Sequence, residues 1–294
     1  MSWSNRLLLL ARLLKINQWA KNVLIFIPLV FSQSLLDPGL LYKSAGAFLC
    51  FCLLSSGVYI VLDIRDLKWD RNHPRKRDRP MASGAVSSRS ALVLALFLFA
   101  CSLPVAFWLE PMFGVVAVTY IGLNLLYSVA LKNILFLDIL CIATGLVLRV
   151  AGGTVVINVE FSSWLLVATG MLALLLAASK RRSELSNAAQ QADISRPVLA
   201  RYNGQLLDLV MAITATLTLG VYLIYVLQPT TADKFGTLFV LSVPIAIYGV
   251  FRYLYLAYLP STEEDPITKV LHDGPLIACC LLWAASVTLI IYLG

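Results

Sequence analysis

An all-α polytopic membrane protein with about nine spans is the fold class that three features of the sequence predict. Of the 294 residues, 60% are hydrophobic and only 13% are charged, and the mean hydropathy is +0.83. That composition is too apolar for a water-soluble domain. Apolar runs near bilayer length recur from end to end. The Lys and Arg residues fall unevenly on alternate loops, the pattern that sets membrane orientation.

Residues 1–20 mix leucines with Arg6, Arg12 and Lys15, which suits an amphipathic helix at the cytoplasmic interface with Trp3 and Trp19 at headgroup level. These charges interrupt the N-terminus too often for a cleavable signal peptide. Runs at 22–36, 41–62, 90–109, 112–130, 134–157, 162–179, 206–227, 236–258 and 274–293 supply the nine spans, the first short and holding Pro28. Placing alternate loops on one side gathers 19 Lys/Arg there, against two, Lys43 and Lys234, on the other. The expected location is therefore the cytoplasmic (inner) membrane, with the N-terminus inside and the C-terminus outside. Arg149 and Arg252 fall within spans, where each needs a partner. The six cysteines lie in apolar runs without metal-ligand spacing and read as packing residues. The net charge of +7 follows the loops, which argues for membrane topology and anionic substrates and against nucleic acid. All of 1–294 reads as one intramembrane domain, with an interfacial helix at 1–20, a charged loop at 63–89, a second polar stretch at 127–149 and a basic loop at 180–204.

Charge concentrates in Asp63–Gly84, DIRDLKWDRNHPRKRDRPMASG, which holds four aspartates, seven Lys/Arg and His73. Asp63, Asp66 and Asp70 stand at i, i+3 and i+7, so on a helix one face carries all three carboxylates. Such a cluster repels itself unless a cation sits within it. Hard oxygen ligands of this kind suit Mg2+, which bridges carboxylates to substrate phosphates. The basic run that follows is placed to meet the same phosphates.

DxxDxxxD followed by DRNHPRKRDRPMASG resembles the first aspartate motif of the UbiA-type intramembrane prenyltransferase superfamily, and most closely its decaprenyl-phosphate phosphoribosyltransferase branch. Leu62 stands where the superfamily usually has Asn. Upstream, Asn17–Asn22 (NQWAKN) matches at Gln18, Trp19, Lys21 and Asn22, with Lys15-Ile16 in place of the usual Arg-Pro. Tyr127–Arg149 (YSVALKNILFLDILCIATGLVLR) resembles the second motif; Asp138 stands alone there, Ile142 replacing a second aspartate. An ionisable group at that depth needs a partner, and Arg149, Lys132 and a substrate group are the candidates. Ala178–Leu185 (ASKRRSEL) is similar to a third stretch of the branch and opens a polar loop reaching Asn203. At most two of its three consecutive cations reach a ligand, because a helix cannot turn all three to one side. Ser261–Leu276 resembles the branch's last loop, and His272 within it reads as merely polar.

The resemblance implies a UbiA-like helical bundle with a cytoplasmic-side active site and a Mg2+-dependent reaction. A 5-phosphoribosyl group would pass from phosphoribosyl diphosphate to a polyprenyl phosphate such as decaprenyl phosphate, releasing diphosphate. It implies Asp63, Asp66 and Asp70 as metal ligands and, with Asp138, as the catalytic set. Lys21, Asn22, Arg71, Lys76, Arg77, Arg79 and Arg149 would contact substrate and its phosphates. Tyr127, Lys132 and Asp138 would orient the donor, and Lys180, Arg181 and Arg182 would close over the 5-phosphate or lipid phosphate. The prenyl chain would lie between spans or along the membrane lipid, held by apolar burial. The alternative is transfer of an isoprenyl group from a polyprenyl diphosphate to an aromatic or other small acceptor. A transporter would need charge on both faces, and the outer loops are nearly uncharged. No Ser or Cys nucleophile arrangement and no nucleotide-binding glycine loop is evident, so direct transfer is expected.

Overall fold

The computed structural model describes residues 3–72, 76–160, 162–191, 197–259 and 266–293, and every regular element among them is helical. His73, Pro74 and Arg75 of the basic run, and 261–265 of the last loop, lie outside the described residues. Helix α1 (Trp3–Leu13) leads to a 3-10 segment (Ile16–Phe26) and a short α2 (Ile27–Phe31). Then come α3 (Pro38–Asn72), α4 (Ser88–Leu109), α5 (Pro111–Val129), α6 (Leu137–Ile157), α7 (Ser163–Gln191) and α8 (Gly204–Leu227). The chain ends with α9 (Pro229–Phe235), α10 (Ser242–Tyr258), α11 (Pro266–His272) and α12 (Gly274–Leu293).

Eight helices among the described residues are long and apolar enough to cross a membrane. The difference from nine lies in the run at 22–36. Pro28 carries no N–H and sits in the first turn of α2, so the preceding segment stays 3-10 and the α-helical part is only 5 residues long. A second difference is that Lys180–Gln191 continues α7 instead of opening a loop. Its residues are helix-compatible, and the next proline is Pro197.

The chain clusters into two compact units. One comprises Met1–Ile27, Asp37–Lys132 and Leu148–Asn158. Here α3 packs along α4 and the 3-10 segment, and α4 along α5. At 35 residues, α3 is about 52 Å long at about 1.5 Å per residue, against about 30 Å of hydrocarbon. Its last turns therefore reach into the polar region. Helix α4 starts cleanly because the Ser87 side chain accepts the Ser90 N–H. In the same unit α6 crosses the 3-10 segment at Gly153. A Cβ there would lie 2.2 Å from the Ile25 carbonyl oxygen, so only glycine permits the approach.

The other unit comprises Pro28–Leu36, Asn133–Val147 and Val159–Gly294. Its core joins α7, α8, α10 and α12 through Leu175, Leu207, Met211, Val250, Tyr253 and Leu276. Phe31 is fixed among Tyr225, Phe235, Phe239 and Trp283. Asn203 caps α8 by accepting the Leu206 N–H at 2.6 Å.

Candidate active site

The acidic ladder occupies the last three turns of α3, as its spacing requires. Asp63 and Asp70 are buried and Asp66 is half-buried. After α3 the chain makes a 3-10 turn, Lys76–Asp78, and Met81 inserts beside Ile60, Ala91, Ala95 and Leu98. That apolar anchor folds the basic turn back onto the helix it has just left. Gly84, at φ 79°, completes the bend, and the Val86 N–H donates to the Pro80 carbonyl at 2.9 Å.

Arg79 is thereby brought onto the acids. Its Nη1 donates to Asp70 Oδ2 at 2.7 Å and to Asp63 Oδ1 at 3.0 Å. Lys15 Nζ donates to the same Asp63 oxygen at 2.7 Å, and Lys132 Nζ to Asp66 Oδ1 at 2.7 Å. The three acids are thus met by three cations drawn from the N-terminal segment, the basic turn and the 3-10 turn Leu131–Asn133 that follows α5. Burial pulls the Lys15 ammonium below its ordinary range, and Asp63 opposes the shift.

Two carboxylates, Asp63 and Asp70, converge on one cationic nitrogen, whereas Asp66 turns to Lys132. Among the described residues no three His, Cys, Asp or Glu gather tightly enough to hold a metal together. A convergent pair still fits Mg2+, which takes one or two carboxylates and completes its shell with water and substrate phosphates.

The N-terminal segment is pinned in the same unit. Ser56 Oγ donates to the Leu14 carbonyl and accepts the Trp19 indole N–H at 3.0 Å. Asn22, fully buried, accepts Arg149 Nε at 2.7 Å and donates toward Ser55 and Cys52. Arg149 also donates to the Tyr120 hydroxyl at 3.0 Å and lies over that ring. Asn22 and Arg149 are thus both buried and joined to each other. Lys21, Lys76 and Tyr127 are half-buried, and Arg71 and Arg77 are exposed.

Asp138 lies in the second unit, and its partner is neither Arg149 nor Lys132. It pairs with Arg181, 43 residues away, which uses Nε for Asp138 and Nη1 for Glu184 at 2.5 Å. The other Asp138 oxygen accepts the Tyr202 hydroxyl at 2.7 Å, and that hydroxyl accepts the Phe136 N–H at 2.9 Å. Burial and the bond to Asp138 raise the Tyr202 phenol above its ordinary value. Arg182 turns elsewhere, to Asp208 at 2.8 Å and over the Tyr258 ring. Lys180 is half-buried. Arg252 finds its partner in Asp273 at 2.7 Å, and Lys269 donates to Ser183 at 2.7 Å. Lys15, Glu184 and Tyr202 escaped the sequence reading as polar-network residues. Only Glu184 carried a local signal, its i+3 spacing from Arg181.

Residues 25–272 match the model of the UbiA prenyltransferase family. The decaprenyl-phosphate phosphoribosyltransferase of Mycolicibacterium smegmatis is 30% identical over 290 residues, covering 94% of this chain and 90% of that protein. The protein of the same name from Mycobacterium tuberculosis is 31% identical, covering 92% of this chain and 90% of its own. Among solved structures, a UbiA homologue from Archaeoglobus fulgidus bound to DMAPP and Mg2+ superimposes with a TM-score of 0.72 at 18% identity, covering 96% of this chain and 98% of that one. That likeness carries the fold, and the eight apolar helices make this a multi-pass membrane protein. With most of its length inside the family model and relatives of 30% identity along nearly all of it, the chain belongs to the UbiA prenyltransferase family and is a membrane transferase.

Proposed function

We propose that the protein transfers a 5-phosphoribosyl group from phosphoribosyl diphosphate to the phosphate of a polyprenyl phosphate lipid, at the α3 acidic ladder. The observation that carries this reading is the convergence of Asp63 and Asp70 on a single cationic position beside a basic turn. The name shared by the relatives that match nearly the whole chain supports the choice of donor and acceptor. Asp63 and Asp70, with Asp66 one turn from each, would hold Mg2+. That ion supplies positive charge to a diphosphate whose own negative charge grows as it departs.

The chain's own residues supply the rest. Arg79 is one third exposed at its side chain, which leaves it room to turn from the carboxylates to a phosphate. Lys76, Arg77 and Arg71 lie on or beside the same turn and add phosphate contacts. Lys15 and Lys132 keep Asp63 and Asp66 oriented. As the bond between ribose C1 and the diphosphate oxygen breaks, positive charge develops on the ribosyl carbon. A lipid phosphate oxygen captures it, and diphosphate leaves with the electron pair. Lys21 is positioned by the pinned N-terminal segment as a further anion contact. The prenyl chain lies in apolar surroundings that hold it by burial alone. By the Lys/Arg asymmetry, the charged ends and the reaction belong on the cytoplasmic side.

The test is incubation of purified protein with Mg2+, polyprenyl phosphate and radiolabelled phosphoribosyl diphosphate. Label entering the lipid phase, and absent with EDTA, supports the proposal. No label, with isoprenyl transfer to an aromatic acceptor found instead, replaces it.

A further inference from the structure

We infer that Asp138 is a structural brace for α7, with Arg181 as the positioning residue it holds, and that it is a ligand for neither metal nor donor. Asp138 and Arg181 side chains are both 0% exposed, and Glu184 is 6% exposed. Both Asp138 oxygens are taken, one by Arg181 and one by Tyr202. Each oxygen keeps a second lone pair, but with no exposed surface a ligand could reach this carboxylate only by opening the core around its bonds. Doing so would strand a buried charge, the costliest change available to such a pair. Tyr202 extends the brace to the Phe136 backbone, where the chain enters α6 with a positive φ of 65°.

The brace explains how three consecutive cations are sorted. With Arg181 turned fully inward, Arg182 lies about 100° further round the helix. There it meets Asp208 and covers Tyr258. The rotation of α7 is set by a buried bond, and the remaining basic side chains are presented accordingly. This inference rests on the proposed function only in naming Mg2+ and diphosphate as the ligands that Asp138 does not hold.

The experiment compares wild type, Asp138→Asn, Asp70→Asn and the triple variant D138L/R181M/E184M, each as the full chain in detergent. Thermal unfolding and calorimetric titration with Mg2+ plus inorganic diphosphate are recorded. Asp138→Asn should melt at least 5 °C below wild type. The triple variant, which replaces the ions with apolar groups, should recover at least half of that loss. Both should bind Mg2+ and diphosphate within about threefold of wild type, while Asp70→Asn loses at least tenfold. Melting within 1 °C of wild type for Asp138→Asn, or a tenfold loss of Mg2+ affinity in the folded triple variant, overturns the brace. If Asp70→Asn binds as wild type does, or wild type does not bind, the metal reading at α3 fails, and the melting comparison still decides the role of Asp138.

Discussion

Replacing Arg79 by Gln should destabilise the metal-free protein and make its stability depend on a divalent ion. Arg79 is 33% exposed, while the carboxylates it bridges are 10% and 7% exposed at Asp63 and Asp70. Breaking one side of a fully buried ion pair costs about 3–5 kcal/mol, and an exposed pair is worth about 0–1 kcal/mol. A partly exposed arginine between two nearly buried acids falls between these limits, at about 2 kcal/mol once solvent screening is allowed for. At roughly 2–4 °C per kcal/mol, the variant should melt about 4–8 °C below wild type in EDTA. Mg2+ alone should then stabilise the variant more than wild type, because the ion no longer competes with a resident guanidinium. The assay is thermal unfolding of the detergent-solubilised chain, followed by intrinsic tryptophan fluorescence. Coincident melting of variant and wild type in EDTA would refute the reasoning, since the two acids would then need no cation between them.

Asp66→Ala should abolish turnover while leaving the protein folded, because Asp66 and Lys132 are 29% and 22% exposed and such a pair contributes little to stability; full activity in a radiolabel assay would remove Asp66 from the site. Asp273, held by Arg252 and the Leu276 N–H, has its carboxyl below the ordinary range. Its stabilising effect is therefore complete above about pH 4 and is lost as pH falls through the lowered folded value. The melting difference between wild type and Asp273→Asn should accordingly be constant from pH 7 to 5 and shrink below pH 4. Finally, the Lys/Arg asymmetry that puts the N-terminus inside and the C-terminus outside predicts an active C-terminal alkaline phosphatase fusion, as an odd number of crossings requires; an inactive fusion, with a C-terminal green fluorescent protein fusion bright instead, would make the number of crossings even.

The legible part of this molecule is the part governed by local period. Asp63, Asp66 and Asp70 fall on one face of α3 because 3.6 residues make a turn, and no packing detail is needed to see it. Asp138 and Arg252 were bound to have partners because an ion inside an apolar helix cannot stand alone. Which partners they have depends on contacts far away in sequence. Arg149 and Lys132 lie 11 and 6 positions from Asp138 and look like the natural choices, yet α7 packs so that Arg181 arrives from 43 positions away. Arg79 reaches the aspartates only because Met81 finds a pocket against Ile60 and Ala91, a fit between side-chain shapes that no charge pattern announces. The first apolar run shows the same limit from another side. Hydropathy counts residues, whereas the distance crossed depends on rise per residue, and a 3-10 geometry covers in 11 residues what an α-helix covers in about 15. Sequence therefore shows which charges must be neutralised, and tertiary packing decides which cation does it. At α3 that choice brings a partly exposed arginine to the carboxylates, where a ligand can replace it; at α6 it brings a buried one that a ligand cannot reach.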